Sequence, residues 1–360
     1  MALWIEDYAL LGDTHTAALV GRDGSVDWLC LPRFDSGACF AALLGGPQHG
    51  RWTIAPVDGA VPRGRRYQGD SLVLETELAN DDGRVRIVDC LPVRGGRPAD
   101  GNPTLVRRVE GVQGRVRMRS ELCLRFDYGH IVPWGRSDGR RLSAYAGPDA
   151  VTVYADTDFV AEGDPPAYAA EFTVGEGEHV DFQLSWNGPG QPVPEAIDVG
   201  REIDRTRRWW QRWADRCSRG NEQGDQYRDA VVRSLVTLKA LTYAPSGGIV
   251  AAGTTSLPEQ LGGVRNWDYR YCWLRDATFT LMALLDAGYE REAVAWREWL
   301  LRALAGRPEQ MQIMYGVNGE RRLTETELDW LPGYADSAPG RLVRRDNVLT
   351  ASGRAKSPAR

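Results

Sequence analysis

The feature that most limits the fold is a change of period across one Pro/Gly-rich stretch, NGPGQPVPEA at 187–196. Before it, apolar and polar residues alternate. SLVLETEL (71–78) and RVRIVDCLPV (84–93) flank ANDDG, whose Asp-Gly pair signals a hairpin turn. TLVRRVEG (104–111), RVRMRSELCLRF (115–126), AVTVYAD (150–156) and YAAEFTVGEGEHVDFQLSW (168–186) continue the alternation. Side chains with period two belong to strands. Residues 1–190 are therefore expected to form an antiparallel β-sandwich. After the break the period is helical. REIDRTRRWWQRWADRC (201–217) sets Trp209, Trp210 and Trp213 down one side. DQYRDAVVRSLVTLKALTY (225–243) carries a stripe of Val231, Leu235, Leu238 and Leu241. LRDATFTLMALLDAGY (274–289) and REAVAWREWLLRALAG (291–306) read as an antiparallel helix pair with Glu290 alone between them.

Several function classes are set aside at this level. The chain has 360 residues, which points to two domains with ample core. A formal net charge of −5, with no dominant basic patch, argues against nucleic acid as partner. The six cysteines (Cys30, Cys39, Cys90, Cys123, Cys217, Cys272) form no CxxC pair, so neither a disulfide framework nor a zinc site is expected. His15, His49, His130 and His179 show no ligand spacing. GDTHTAALVG contains no GxGxxG, and Gly262-Gly263 does not fit a phosphate loop, so neither a dinucleotide site nor a phosphate loop is supported. MALWIEDYALLGD lacks the basic and apolar regions of a signal peptide, and no apolar run reaches membrane-spanning length. Cytoplasmic location is the default expectation, and oligomeric state is unassigned.

The densest chemistry lies in NWDYRYCWLRDATFT (266–280), which interleaves five aromatics with Asp268, Arg270, Arg275 and Asp276. Two readings stand side by side. In one, Asp276 stabilises the first turn of a helix and Arg275 pairs with a nearby acid. In the other, aromatic faces stack on pyranose rings while a carboxylate and a guanidinium hydrogen-bond adjacent hydroxyls. Thirteen tryptophans are high for this length and agree with a carbohydrate partner.

The stretch SLPEQLGGVRNWDYRYCWLRDATFT resembles glycoside hydrolase family 15, the glucoamylase and bacterial trehalase family. IEDYALLGDTHTAALVGRDGSVDWLCLPRFDSGACFAALLGG (5–46) resembles its trehalase-like N-terminal domain, and QIMYGVNGERRLTETELDWLPGY (312–334) a later barrel segment. The resemblance implies a β-sandwich followed by an all-α part, namely an antiparallel super-sandwich plus an incomplete (α/α)6 barrel. It implies the divisions 1–190 (sandwich), 191–223 (linker with a Trp-rich helix), 224–339 (opening part of the barrel) and 340–360 (an aberrant, disordered tail). It implies inverting hydrolysis of α-glucosides, either trehalose or α-glucan ends, without a cofactor. The Trp-x-Arg-Asp motif maps onto Trp273, Arg275 and Asp276 as contacts to the non-reducing glucose, with Tyr269 beside the same ring. Trp267 and Tyr271 are expected to be packing residues and Cys272 inert core.

In the family the general acid and base come from later segments, and nothing in 281–360 matches them. Glu325, Glu327 and Asp329, beside Trp330, are read as an exposed acidic helix or loop edge instead. Arg33 and Asp35 are read as a loop tying the two parts together. From Gly340 the sequence departs from the family pattern, as a truncated or frame-shifted product would, with a genuine alternative C-terminus as the rival reading. Leu281, Leu284, Leu285, Leu300 and Leu304 are then expected to lack partners, leaving the helical part loose. A non-catalytic carbohydrate binder and a sugar phosphorylase are the two alternative functions.

Overall fold

A computed structural model of the chain describes residues 2–94, 101–217, 227–337 and 340–345. Its N-terminal part is one antiparallel sheet of 15 strands followed by a helical region. The organising element is the 20-residue strand Thr104–Cys123. Its first half pairs with Gly83–Cys90 and His179–Asn187, and its second half with Arg51–Pro56 and Ala167–Gly175. The two halves of the sheet bury their inner faces in one core. Trp52 from one half meets Phe182 from the other edge-on, ring centroids 6.0 Å apart. A fully buried ion pair crosses this core. Arg107 Nε donates to Asp89 Oδ1 at 2.8 Å, and its other nitrogens donate to the carbonyls of Trp52 and Gly24.

The hairpin expected at ANDDG is present, but Asp-Gly is not its turn. Asn80 pairs with Gly83, leaving Asp81-Asp82 as the loop. The Asn80 Oδ1 accepts from the backbone N–H of Asp82 and Gly83, so a side-chain turn closes the hairpin.

Helix α1 (Val199–Ala214) begins at Asp198, whose carboxylate caps the Arg201 N–H at 2.9 Å. It is no free linker. Val199 and Ile203 pack on Val73, Val88, Cys90 and Val106 of the sheet. Trp210 and Trp213 face the helices that follow, whereas Trp209 is half-buried. Helix α2 (Arg228–Ala240) buries Val232, Leu235, Val236 and Ala240. Val231 is exposed, so the stripe is turned by one residue from the one read in the sequence. Helices α3 (Leu274–Asp286) and α4 (Glu290–Ala303) are joined by three residues, 287–289, and Glu290 opens α4. The joint is a Schellman cap. Gly288 sits at φ +87°, its N–H donates to Leu285, and the Tyr289 N–H donates to Leu284.

A buried ionic junction ties α1, α2 and α4. Glu292 Oε1 accepts from Trp213 Nε1 at 2.7 Å and Arg216 Nη2 at 3.1 Å, and Lys239 Nζ lies 3.3 Å away. Tyr289 stacks on Trp213 at 4.1 Å. Burial alone would raise the Glu292 carboxyl, but Lys239, the Trp213 indole and Arg216 hold it below its ordinary value.

The expectation that five leucines lack partners holds only in part. Leu284 is fully buried among Trp210, Trp213 and Tyr289. Leu281, Leu300 and Leu304 pack on a cluster built from Phe34, Tyr243, Trp299 and Tyr315. Leu285 is exposed, and Phe279, Met282, Val294 and Leu301 join it at the surface. The tail also departs from expectation. Gly340–Arg345 is a strand paired with Leu323–Leu328, and Leu342 is buried beside Leu328, Leu331 and Tyr334. Residues 346–360 lie outside the described residues. Among the described residues no helix is long and apolar enough to cross a membrane.

Candidate functional site

Residues 251–273 make a long excursion that doubles back on itself. Ala252 N–H donates to Tyr269 O, Ser256 N–H to Trp267 O and Glu259 N–H to Arg265 O. The returning arm is extended, so its side chains alternate. Asn266, Asp268, Arg270 and Cys272 point inward and are buried, while Trp267, Tyr269 and Trp273 face outward. The interleaving of rings and charges is therefore strand alternation over a polar seat. Tyr271 breaks the pattern and is buried.

That seat belongs to the N-terminal sheet. Arg270 and Asp268 form a two-bond fork, Nε to Oδ1 at 2.9 Å and Nη2 to Oδ2 at 2.7 Å, with no exposed side-chain surface. The remaining guanidinium nitrogen of Arg270 donates to the carbonyls of Ser36 and Phe34. Its plane lies 5.3 Å from the Tyr128 ring and 5.9 Å from Trp28. Trp28 Nε1 donates to Gly253 O at 2.8 Å on the outgoing arm. Asp268 and Arg270 thus moor the excursion and are spent on protein.

The four residues singled out by resemblance converge at the start of α3. The Tyr269 and Trp273 rings lie 5.9 Å apart, tilted by 39°. Trp273 Nε1 donates to Asp268 O, which fixes the indole. Cys272–Trp273 pairs with Met314–Tyr315, and α3 starts at the next residue. Asp276 falls in the first turn, where exposed N–H groups favour a carboxylate. Arg275 Nη2 meets Asp276 Oδ2 at 3.2 Å, and 73% of the Arg275 side chain is exposed. An ion pair this open contributes at most about 1 kcal/mol to stability. The Arg275 head is exposed, and Asp276 beside it is half-buried.

Glu259 is a member of the patch that the sequence did not single out. Burial raises the Tyr269 phenol above its ordinary value, and the Glu259 and Asp276 carboxylates raise it further against Arg275. Glu259 also faces Arg265 at 3.6 Å. The pairing of the two arms sets residue 259 opposite 265, at the end nearer the tip, and no local periodicity encodes that pairing.

Other candidates fall elsewhere. Arg33 forks onto Asp35 at 2.9 and 2.8 Å, reaches Glu320 at 3.2 Å and lies 5.3 Å from the Tyr243 ring, which makes this loop a tie between sheet and helices. Glu325, Glu327 and Asp329 are exposed, but the first two sit on a strand and not on a helix. Trp330 donates to Tyr128 O and lies against His130. Trp267, expected to pack, is partly exposed. Cys272 is buried core, with its thiol pushed well up by desolvation.

Comparison with known proteins agrees with this layout. Residues 1–155 match the family described as "Trehalase-like, N-terminal", and residues 225–342 match "Glycosyl hydrolases family 15". A trehalase from Mycobacterium tuberculosis is 35% identical over 94% of this chain and 52% of its own length. A trehalase from Mycolicibacterium smegmatis is 34% identical over 94% of this chain and 53% of its own. The chain thus spans about half the length of the curated relatives it matches. In solved structures, a human-microbiome protein named for kojibiose phosphorylase superimposes with TM-score 0.50 at 9% identity, covering 87% of this chain and 50% of the other. That likeness concerns fold alone. By sequence, the chain joins a trehalase-like N-terminal domain to a segment similar to glycoside hydrolase family 15.

Proposed function

We propose that this chain serves the hydrolysis of an α-glucoside, trehalose first and α-glucan ends second, with inversion at the anomeric carbon. We read the 15-stranded sheet as a super-sandwich and the helices as the opening part of an (α/α)6 barrel. The observation that carries the proposal is the patch at the start of α3, where two outward rings lie beside an exposed guanidinium and a half-buried carboxylate. In this reading Tyr269 and Trp273 lie on the apolar face of the non-reducing glucose. Asp276 accepts from two of its hydroxyls and Arg275 donates to it. Inversion also needs an acid and a water-activating carboxylate roughly 6.5–9.5 Å apart. We assign neither role to a residue of this chain. Its contribution is binding and orientation. The similarity to trehalases over 94% of the chain supports trehalose as the first substrate to test.

The test is calorimetric titration of trehalose and maltose into the 360-residue chain, with glucose release followed in parallel. The reading expects binding that Asp276→Asn weakens at least tenfold, since a hydrogen bond to a charged group is worth about 1.5–3 kcal/mol. Undiminished binding by that variant would remove Asp276 from the site. Binding without turnover would place the chain among non-catalytic binders. Release of glucose 1-phosphate that depends on phosphate would favour the phosphorylase alternative, for which the structural likeness supplies only fold.

A further inference from the structure

We infer that the outer face of the N-terminal sheet carries a second carbohydrate surface, built on Trp134 and Tyr145 and shaped for an α-linked glucan. This surface goes beyond the reading of Asp276 and does not depend on it. Trp134–Asp138 and Arg141–Ala146 form a hairpin in which Trp134 and Tyr145 are direct cross-strand partners. Trp134 is 68% exposed and Tyr145 41%. Leaving an indole so open forgoes most of the roughly 1.5–3 kcal/mol that burying a large apolar side chain yields. The pair itself returns about 0.2–1 kcal/mol to the hairpin.

The rings stand on a fixed base. Leu142 and Ala144, facing the other way, are buried in the sheet core. On that same inner side, Gly135 lies so close to Tyr168 that a Cβ there would fall 1.8 Å from its phenol oxygen. Ser137 Oγ donates to Phe159 O at 2.8 Å. The platform is therefore set before any ligand arrives, and little ordering entropy is lost on binding.

The chemistry of the face selects its ligand. The next rungs beyond the rings, on the same side of the sheet, are Arg136 with Ser143 and Asp138 with Arg141. A protein partner is best met by a contiguous apolar patch with a polar rim. Here the rings, with Ile131 and Val132 also exposed just before Trp134, give way along the two strands to a ladder of donors and acceptors. A pyranose chain matches that pattern, because each ring has an apolar C–H face and hydroxyls at its edge. Geometry sets the linkage. The centroids are 5.9 Å apart, comparable to one sugar residue, and the planes are inclined by 36°. Two sugars stacked on them are turned relative to each other, as in a curved α-linked chain. A flat β-linked ribbon needs coplanar rings.

The test is calorimetry with maltoheptaose and cellohexaose on the full chain and on Trp134→Ala, Tyr145→Ala, Trp134→Phe and Asp276→Asn, with circular dichroism and melting as fold controls. The expected result, read in the Asp276→Asn background so that the patch at the start of α3 is weakened in every variant alike, is maltoheptaose binding that Trp134→Phe keeps and that both alanine variants reduce at least tenfold. Cellohexaose should bind at least tenfold more weakly than maltoheptaose. A second readout needs no variant. Maltoheptaose should protect Trp134 from N-bromosuccinimide oxidation, read by peptide mass spectrometry, while Trp4, 58% exposed and remote in sequence, oxidises as before. Full binding by Trp134→Ala, no binding by Asp276→Asn, equal binding of cellohexaose, or no protection of Trp134 would each overturn the inference. Self-association of the chain that Trp134→Ala abolishes, without glucan binding, would assign the face to a second copy instead.

Discussion

Replacing Glu292 by Gln removes a buried negative charge from the junction of α1, α2 and α4. Three donors converge on its Oε1: the Trp213 indole at 2.7 Å, Arg216 at 3.1 Å and Lys239 at 3.3 Å. The amide oxygen of Gln still serves the indole, so the loss falls on the cations. Arg216 is 41% exposed and regains water, which makes its share small. Lys239 is only 13% exposed and is left as a buried ammonium without a counter-charge. Removing one partner of a buried pair costs about 3–5 kcal/mol. Burial already lowers the Lys239 pKa, so release of its proton caps the penalty, and we expect about 3 kcal/mol at neutral pH. Urea unfolding followed by near-ultraviolet dichroism, which senses the Trp213–Tyr289 stack, measures it. The pH dependence is a second check. Glu292 titrates lower in the folded state than unfolded, so the unfolded chain binds more protons between the two values. The stabilisation is complete above the ordinary value of 4.5 and is lost as pH falls through the lowered one. The gap between the native chain and Glu292→Gln therefore closes on acidification. A gap under about 1 kcal/mol at pH 7, or one that persists unchanged into acid, would refute the reasoning. An apolar pair, Glu292→Leu with Lys239→Met, should recover most of the loss.

Three further outcomes follow from the same contacts. Asp276→Asn removes a negative charge facing Tyr269, so the Tyr269 phenol should titrate at lower pH, visible in ultraviolet titration against Tyr269→Phe. Asp89→Asn strands Arg107 in the sheet core and should destabilise the sheet by about 3–5 kcal/mol in urea melts, whereas Glu325→Gln at the surface should change stability by less than about 0.5. Phe279→Lys and Leu301→Lys should each reduce binding of a hydrophobic dye without lowering the melting temperature, because both side chains are exposed; a drop of several degrees would show that something covers them.

The large divisions of the fold were legible because they follow from period alone. Alternation before residue 187 and 3.6-residue spacing after 199 separate sheet from helices without any tertiary knowledge. Finer placement depended on contacts that no local pattern carries. The stripe of α2 is turned by one residue: Val232, Leu235 and Val236 pack with Trp210 and Trp213, Lys239 sits at the junction with Glu292, and Val231 is left exposed. The hairpin at 80–83 closed on the Asn80 side chain, although Asp-Gly was the stronger signal. At the site, Trp273, Arg275 and Asp276 are adjacent in sequence and were found together. Glu259 joins them only through the doubling back of 251–273, and Asp268 and Arg270 proved to be moorings because their partners lie in the distant 34–36 loop. Gly340–Arg345 looked structureless in composition, yet Leu342 has a seat beside Leu328 that composition does not reveal.

The tether between Trp28 and Gly253 spans 225 residues, and that between Ser36 and Arg270 spans 234. On the ribosome, the sheet is complete long before the excursion emerges, so it is available as a mould on which the later wall is cast. A fragment beginning after the Pro/Gly break has no mould, and its Asp268–Arg270 fork must find water where it now finds carbonyls. Chimeras that exchange N-terminal domains among relatives should therefore keep a properly seated 251–273 excursion only when residues 28–36 match it.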